Sequence, residues 1–418
     1  MKGARPLKRL VSIMLCFAFL LGGCSDFFDR FNTTSTVSEL NLTESDSIVK
    51  FDVYPENSGF EIPKPYDRAN YQLLNDRQKS MYIQLDNTVY GMTTGYVPLG
   101  ICAERDIEIV YQALRHDRPE YFWLPLTYYV RTVGDATEIS LAQKESDWNC
   151  TKTERIRREG EIRAKLGQLL GGITEDMSEY DIELYLHDKL VDAVAYDNAA
   201  LLSPESNRPS WNIDGAFLNG KAVCEGYSKA MQVLLLATGF ECSVVIGKTD
   251  EPHMWNAVKV DGHWYHLDAT HNDTTDMPNH FFFNVTTEYM LNSRTIAPTV
   301  DNVADGQLKQ GDFNIFLPLS TYETLNYHIV NGTYIGSMEQ VESTVVSLIC
   351  EAVRDKRKSV EFAVSKNVGF VFGQTDAAEF FKLQRCISAA NAELSQKQRI
   401  YTYTYGGVEG ALGFVVLW

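Results

Sequence analysis

The chain has no surplus of positive charge, no metal-ligand cluster and no long hydrophobic run, and each lack removes a class of function. Lys and Arg number 38 against 55 Asp and Glu, a formal net charge of −17 over 418 residues. No basic stripe interrupts this acidic surplus, which would repel a phosphate backbone, so nucleic acid is excluded as a partner. The 8 cysteines form no Cys-x-x-Cys pair and no His/Cys group at zinc spacing, which removes a structural zinc site. The apolar run Leu10–Leu21 would rise about 18 Å as a helix against a hydrocarbon core of ~30 Å, and no later segment is longer, so no permanent membrane span is expected. No internal repeat is evident. What is present is 44% hydrophobic and 12% aromatic, apolar material for two or three domains with cores of their own, which excludes disorder and a disulfide mini-scaffold.

The first residues read as an export signal. Lys2, Arg5, Lys8 and Arg9 precede the apolar run, and Gly22-Gly23-Cys24 supplies a small-residue cleavage context. Leu21-Gly-Gly-Cys24 resembles the lipobox of bacterial lipoproteins. That resemblance implies lipidation of Cys24 as the first mature residue and a bacterial, extracytoplasmic, membrane-anchored protein. The rival reading is an ordinary signal peptide and a freely secreted product. Residues 1–23 are therefore assigned to a lipoprotein signal peptide, and 24–65, rich in Ser, Thr, Asp, Glu, Asn and Pro, to a flexible tether.

Beyond the tether, pattern and turn signals divide the chain. Residues 66–150 read as a small α+β domain, with helical periodicity over Tyr66–Gly91 and Glu104–His116 and strands at Thr127–Val133 and Glu138–Leu141. Residues 151–300 open with helices at Lys152–Leu170 and after a capping-box pattern at Ser178–Asp181. Residues 301–326 form a linker. Residues 327–418 read as a C-terminal α+β domain: strand His328–Ile335, helix Glu339–Arg354, strand Ser359–Val364, helix Ala377–Leu394 and paired strands. No titratable cluster is visible there, and Val341, Val345, Leu348 and Ile349 make a core stripe.

The chemistry-bearing stretch runs from Gly220 to Asn272. Cys224 opens an apolar helix, where free backbone N–H groups and the helix dipole are expected to favour thiolate and could hold an oxyanion. Gly226 lets the first turn approach a neighbour closely. Downstream, two alternating runs flank Asp261-Gly262, a strong hairpin signal. A two-residue turn pairs Val260 with His263, Ala257 with His266, Trp255 with Asp268 and His253 with Thr270. His253 and Asp268 then share a face as diagonal neighbours, so a carboxylate can hold one imidazole nitrogen while the other faces a thiol. Cys224 would be the nucleophile, His253 the base and Asp268 the orienting acid. His266, on the same face, is a rival base; His263 and His271 are weaker ones. Trp255, Trp264 and Tyr265 read as hairpin packing, with Trp255 also walling the cleft.

Gly220-x-x-x-Cys224-x-Gly-Tyr, His253-x-Trp-Asn-x-Val and Trp264-Tyr-x-Leu-Asp268-x-Thr together resemble the core of transglutaminase-like proteins over roughly residues 180–290. The resemblance implies a papain-like α+β fold, with a helix bearing the Cys packed on an antiparallel sheet bearing His and Asp, flanked by smaller α+β N- and C-terminal domains. It implies a thioester intermediate, with Cys224, His253 and Asp268 at the triad positions. Calcium, used by some members, has no visible loop, and no cofactor or metal is expected. His187-Asp188 and Tyr196-Asp197 resemble elements upstream of the family's cysteine and are read as structural support. The second oxyanion donor stays open among the polar residues of 196–219. The expected function is hydrolysis or acyl transfer at amide bonds of a protein, peptide or peptidoglycan-peptide substrate. The alternative is a non-catalytic surface module for binding or assembly.

Overall fold

The computed structural model describes residues 53–55, 59–273, 279–303, 313–357, 359–365, 377–408 and 412–417. The signal segment, Cys24 and most of the tether lie outside them. Among the described residues no helix is long and apolar enough to cross a membrane.

Capping chemistry sets the helix starts. Helix α1 (Asp76–Gly91) begins at an Asn75–Gln78 capping box, and after strand β1 (Val97–Gly100) comes α2 (Glu104–Asp117). Strands β2 (Tyr129–Val133) and β3 (Ala136–Ser140) complete a three-stranded antiparallel sheet in the order β1-β3-β2. Helix α3 (Lys152–Leu170) starts at a Thr151–Glu154 box. Helix α4 (Glu179–Ala193) starts at the expected Ser178–Asp181 box, with the Ser178 hydroxyl accepting from Asp181 N at 3.1 Å.

Helix α5 (Cys224–Ala237) packs on a four-stranded sheet. The sheet contains β4 (Cys242–Lys248), β5 (Pro252–Val260), β6 (His263–Leu267) and β7 (Thr295–Ile296), antiparallel throughout in the order β6-β5-β4-β7. The hairpin turn lies where the sequence signals it: Asp261 and Gly262 both have positive φ, 48° and 79°, as a type I′ turn requires. Val260 pairs with His263 and Ala257 with His266. The expected pairings of Trp255 with Asp268 and of His253 with Thr270 do not form. Strand β6 stops at Leu267, and Asp268 caps the short helix α6 (Ala269–Asn272), its side chain accepting from His271 N.

In the C-terminal part the expected strand His328–Ile335 is a helix, α7 (Tyr327–Val330), capped by Asn326, followed by a two-residue strand, β8 (Tyr334–Ile335). The Asn326 side chain takes the His328 N–H, and that local bond selects the helical turn. Helix α8 (Met338–Arg354), strand β9 (Ser359–Val364), helix α9 (Ala377–Glu393) and strands β10 (Tyr403–Val408) and β11 (Leu412–Leu417) follow, with sheet order β8-β9-β11-β10.

One apolar cluster runs from Val53 to Ile315, continuous across residue 150, and it includes Val53 and Tyr54 from the stretch assigned to the tether. A second, with Val341, Val345 and Ile349, fills the C-terminal unit. A third small cluster joins Val245, Trp255, Phe281 and Phe282 to Ala363 of β9, so the C-terminal unit docks against the sheet that carries His253. Six described cysteines, Cys102, Cys150, Cys224, Cys242, Cys350 and Cys386, are free thiols.

Candidate active site

Cys224 is the first residue of α5, after Val223 in extended conformation at the N-cap. Two features hold that turn against its neighbours. A Cβ on Gly226 would lie 2.4 Å from Ser210 O, so only glycine admits the 204–211 segment, whose Ser210 O accepts from Val223 N at 2.9 Å. Ser228 Oγ donates to Met254 O at 2.8 Å, and Asn256 Nδ2 donates to Ser228 O at 2.9 Å, stitching α5 to β5 beside His253.

The local electrostatics oppose the sequence expectation for Cys224. Burial pushes the thiol up to about 12, and Glu225 and Asp268 push the same way, against backbone hydrogen bonds from Met254 and Glu225. Desolvation of the anion outweighs the helix dipole. Cys224 therefore rests as a neutral thiol.

His253 is buried, and its Nε2 lies 2.8 Å from Asp268 Oδ2. The expected His–Asp pairing is thus formed, although Asp268 sits on a helix cap instead of a strand. With Nε2 on the carboxylate, Nδ1 is the nitrogen left for a proton from a thiol. Burial lowers the His253 pKa to about 4, with Asp268 opposing and His271 and Arg294 assisting. Imidazole and thiol are both neutral at rest.

Asp268 is fully buried and collects more partners than the sequence suggested. Its Oδ2 also meets His271 Nδ1 at 2.9 Å and Arg294 Nη1, and Oδ1 accepts from His271 N at 3.1 Å. Burial alone would raise this carboxyl; His253, His271 and Arg294 hold it well below the usual carboxylate range. Arg294 was not anticipated. It lies 26 residues beyond Asp268 with no motif around it, and its guanidinium is stacked between Trp255 at 5.3 Å and Phe282 at 4.2 Å. His271, read as a weak rival base, is a second imidazole on the same oxygen, its side chain 38% exposed.

The other rivals are placed elsewhere. His266 is fully buried, accepting from Trp255 Nε1 at 3.1 Å and bonded to Thr287 at 3.0 Å. His263 stacks on Tyr322 at 3.7 Å. Trp255 is buried and stacks on His253 at 5.9 Å, and Tyr265 is buried in the main core. Asp197 caps a short helix and accepts from Ser210 Oγ at 2.6 Å, a supporting role. Among the described residues, two groups bring three metal-ligating atoms within 4.8 Å of one another: His253, Asp268 and His271, and His187, Asp188 and His280. In the first, Arg294 already places a cation on the shared carboxylate oxygen.

Residues 168–269, which contain Cys224, His253 and Asp268, match the model of the Transglutaminase-like superfamily. No curated protein matches the chain. Two solved structures are similar to part of it. One is described as a putative cysteine protease from Cytophaga hutchinsonii, with 15% identity over 33% of this chain and 40% of that one and a TM-score of 0.23. The other is described as a TGase, with 18% identity over 45% of this chain and 54% of that one and a TM-score of 0.27. The chain thus spans about half or less of the length of these structures. Residues 168–269, a helix-borne Cys224 against an antiparallel sheet, are a transglutaminase-like superfamily domain.

Proposed function

We propose that the protein is an exported, membrane-anchored cysteine enzyme acting on protein, peptide or cell-wall amide bonds through a thioester. The observation that carries the reading is the 2.8 Å contact of His253 with the buried Asp268, on the strand stitched to the helix that begins at Cys224. In the first half-reaction Cys224 Sγ attacks the carbonyl carbon while its proton passes to His253 Nδ1. The C–N bond then breaks, His253 returns that proton to the leaving nitrogen, and an acyl thioester remains. Water or an amine attacks the thioester, giving an acid or a new amide and restoring the Sγ–H. Because thiol and imidazole are both neutral at rest, proton transfer accompanies attack instead of preceding it.

The developing oxyanion falls to the free N–H groups at the start of α5. As second donor we assign Trp211. Its indole N–H is buried without a hydrogen-bond partner among the described residues, and its neighbour Ser210 is fastened to Val223. Export and anchoring rest on the signal-like N-terminus and Cys24; fatty-acid labelling of expressing cells should mark the wild type and spare Cys24→Ala.

The test is acylation with an activated peptide ester, read by mass spectrometry. A hydroxylamine-cleavable adduct should form at Cys224, vanish in His253→Ala and fall on the order of 10²-fold in Trp211→Phe. Amine and water acceptors then separate transfer from hydrolysis. A wild-type protein that takes no acyl group would leave the binding-module reading.

A further inference from the structure

Behind the active site, His280 lies between two carboxylates. Its Nδ1 is 2.6 Å from Glu361 Oε1 on β9, its Nε2 is 2.8 Å from Asp188 Oδ1 on α4, and its backbone N–H donates to Glu361 Oε2 at 2.8 Å. His187 Nδ1 also meets Asp188 Oδ1, at 2.9 Å. The proton positions follow from Asn272. Its Oδ1 accepts from Phe282 N at 2.9 Å, so Nδ2 must face His187 Nε2, at 3.0 Å. His187 Nε2 is then an acceptor and Nδ1 carries the hydrogen, donated to Asp188. A zinc ion needs the bare Nδ1, so this cluster is not a metal site. With ionised Asp188 and Glu361 at its two ring nitrogens, His280 must donate from both.

We infer that His280 is an imidazolium clamp, a positioning residue that fastens the C-terminal α+β unit to the segment holding Asp268. Glu361 brings β9, whose Ala363 packs with Phe281 and Phe282. Two residues from His280, Phe282 O accepts from Asp268 N at 2.9 Å, and the Phe282 ring lies under Arg294. The clamp thus reaches the catalytic acid through backbone and ring contacts. The titratable groups facing His280 are His187 and Asp188 of α4, Tyr327 of α7 stacked at 3.8 Å, His328, and Glu361, with Tyr180 and Arg357 beyond Tyr327. Burial would lower the His280 pKa, but hydrogen bonds to Asp188 and Glu361 and their charges raise it to about 9. The clamp's stabilisation is therefore complete below the ordinary 6.5 and is lost as pH rises through about 9.

The activity arm of the test rests on the proposed cysteine chemistry; the stability arm does not. His280→Gln, Glu361→Gln, the half-exposed Asp188→Asn and the His280→Gln/Glu361→Gln double variant are compared in the full chain. The wild-type melting temperature should decline between pH 6.5 and about 9, and His280→Gln should lose the clamp's share of that decline. The double variant should lose no more than the worse single one. Acylation at Cys224 should fall about tenfold or more in kcat with KM held, and the Nε2–H proton resonance of His253 should shift. An unchanged pH–melting curve in both His280→Gln and Asp188→Asn, or additive losses, would overturn the clamp, as would zinc binding to the wild type that His280→Gln abolishes. If wild-type Cys224 takes no acyl group, the function fails while the melting curves and the His253 resonance still decide the clamp.

Discussion

Asp268 Oδ2 receives His253, His271 and Arg294 in a site with no exposed surface on the carboxylate, so removing the Arg294 cation leaves a buried charge uncompensated. Arg294→Met should cost about 3–5 kcal/mol, the range for breaking one side of a buried pair, and should slow Cys224 acylation because the carboxyl climbs toward neutrality. Chemical denaturation and acylation rate, measured together, check this. Preserved stability with unchanged rate would remove Arg294 from the site. The same scale carries a prediction for the thiol. With Cys224 pushed up to about 12, its iodoacetamide rate should climb about tenfold per pH unit from 7 to 10, tracking the thiolate fraction. A plateau starting below pH 8 would show a preformed ion pair with His253. The placement of Cys224 at a helix start and the contact of His253 with Asp268 were legible in the sequence because each residue sits in a short local motif. Arg294 and the direction of the Cys224 shift were not, since both depend on which distant groups exclude water from the site.

Elements were readable where a local signal fixes the geometry. Asp261-Gly262 sets the turn, and the ladder from Val260–His263 to Asn256–Leu267 follows by counting. The count fails at Asp268 because its carboxylate bonds the amide three residues on, which ends the strand and begins a helix; strand and cap compete on nearly equal terms at such a residue. The same competition, won by Asn326, turned the expected strand at 328 into a helical turn. At α5, the reading of Gly226 as a close-approach residue gives a sharp test. In Gly226→Ala the new methyl meets Ser210 O at 2.4 Å, so the 204–211 segment must move. A loss of ~1–3 kcal/mol is expected, together with an acylation defect larger than at the remote surface control Gly160→Ala, where a Cβ meets nothing. Equal acylation in the two variants would separate the segment from catalysis.

On the scale of the whole molecule, the helices before residue 150 and the sheet bearing His253 are tied to one core, and a buried acid in that core makes stability depend on pH. Glu183 of α4 is fully buried; its Oε2 accepts from Asn284 Nδ2 at 2.6 Å, while its Oε1 and Asn284 Oδ1 are both without donors among the described residues. Two buried acceptors lacking hydrogens on this bonded pair call for a proton on the carboxyl, which turns one of them into a donor. Burial, which outweighs the Asn284 bond, raises the Glu183 pKa from 4.5 to about 8. The folded state thus holds a proton that the unfolded chain releases above 4.5. The contribution is complete below that value and lost as pH rises through about 8, at a slope of at most about 1.4 kcal/mol per pH unit. Glu183→Gln supplies the donor permanently, so its unfolding free energy should fall less steeply than the wild type's between pH 5 and 8. The two proteins should differ most at the alkaline end, where the variant should be the more stable. The His280 clamp also loses stabilisation between pH 6.5 and about 9, but equally in both proteins, so the difference between their urea-unfolding curves at pH 5, 6.5 and 8 isolates Glu183; parallel curves would mean the carboxyl ionises in the fold and that another group satisfies Asn284.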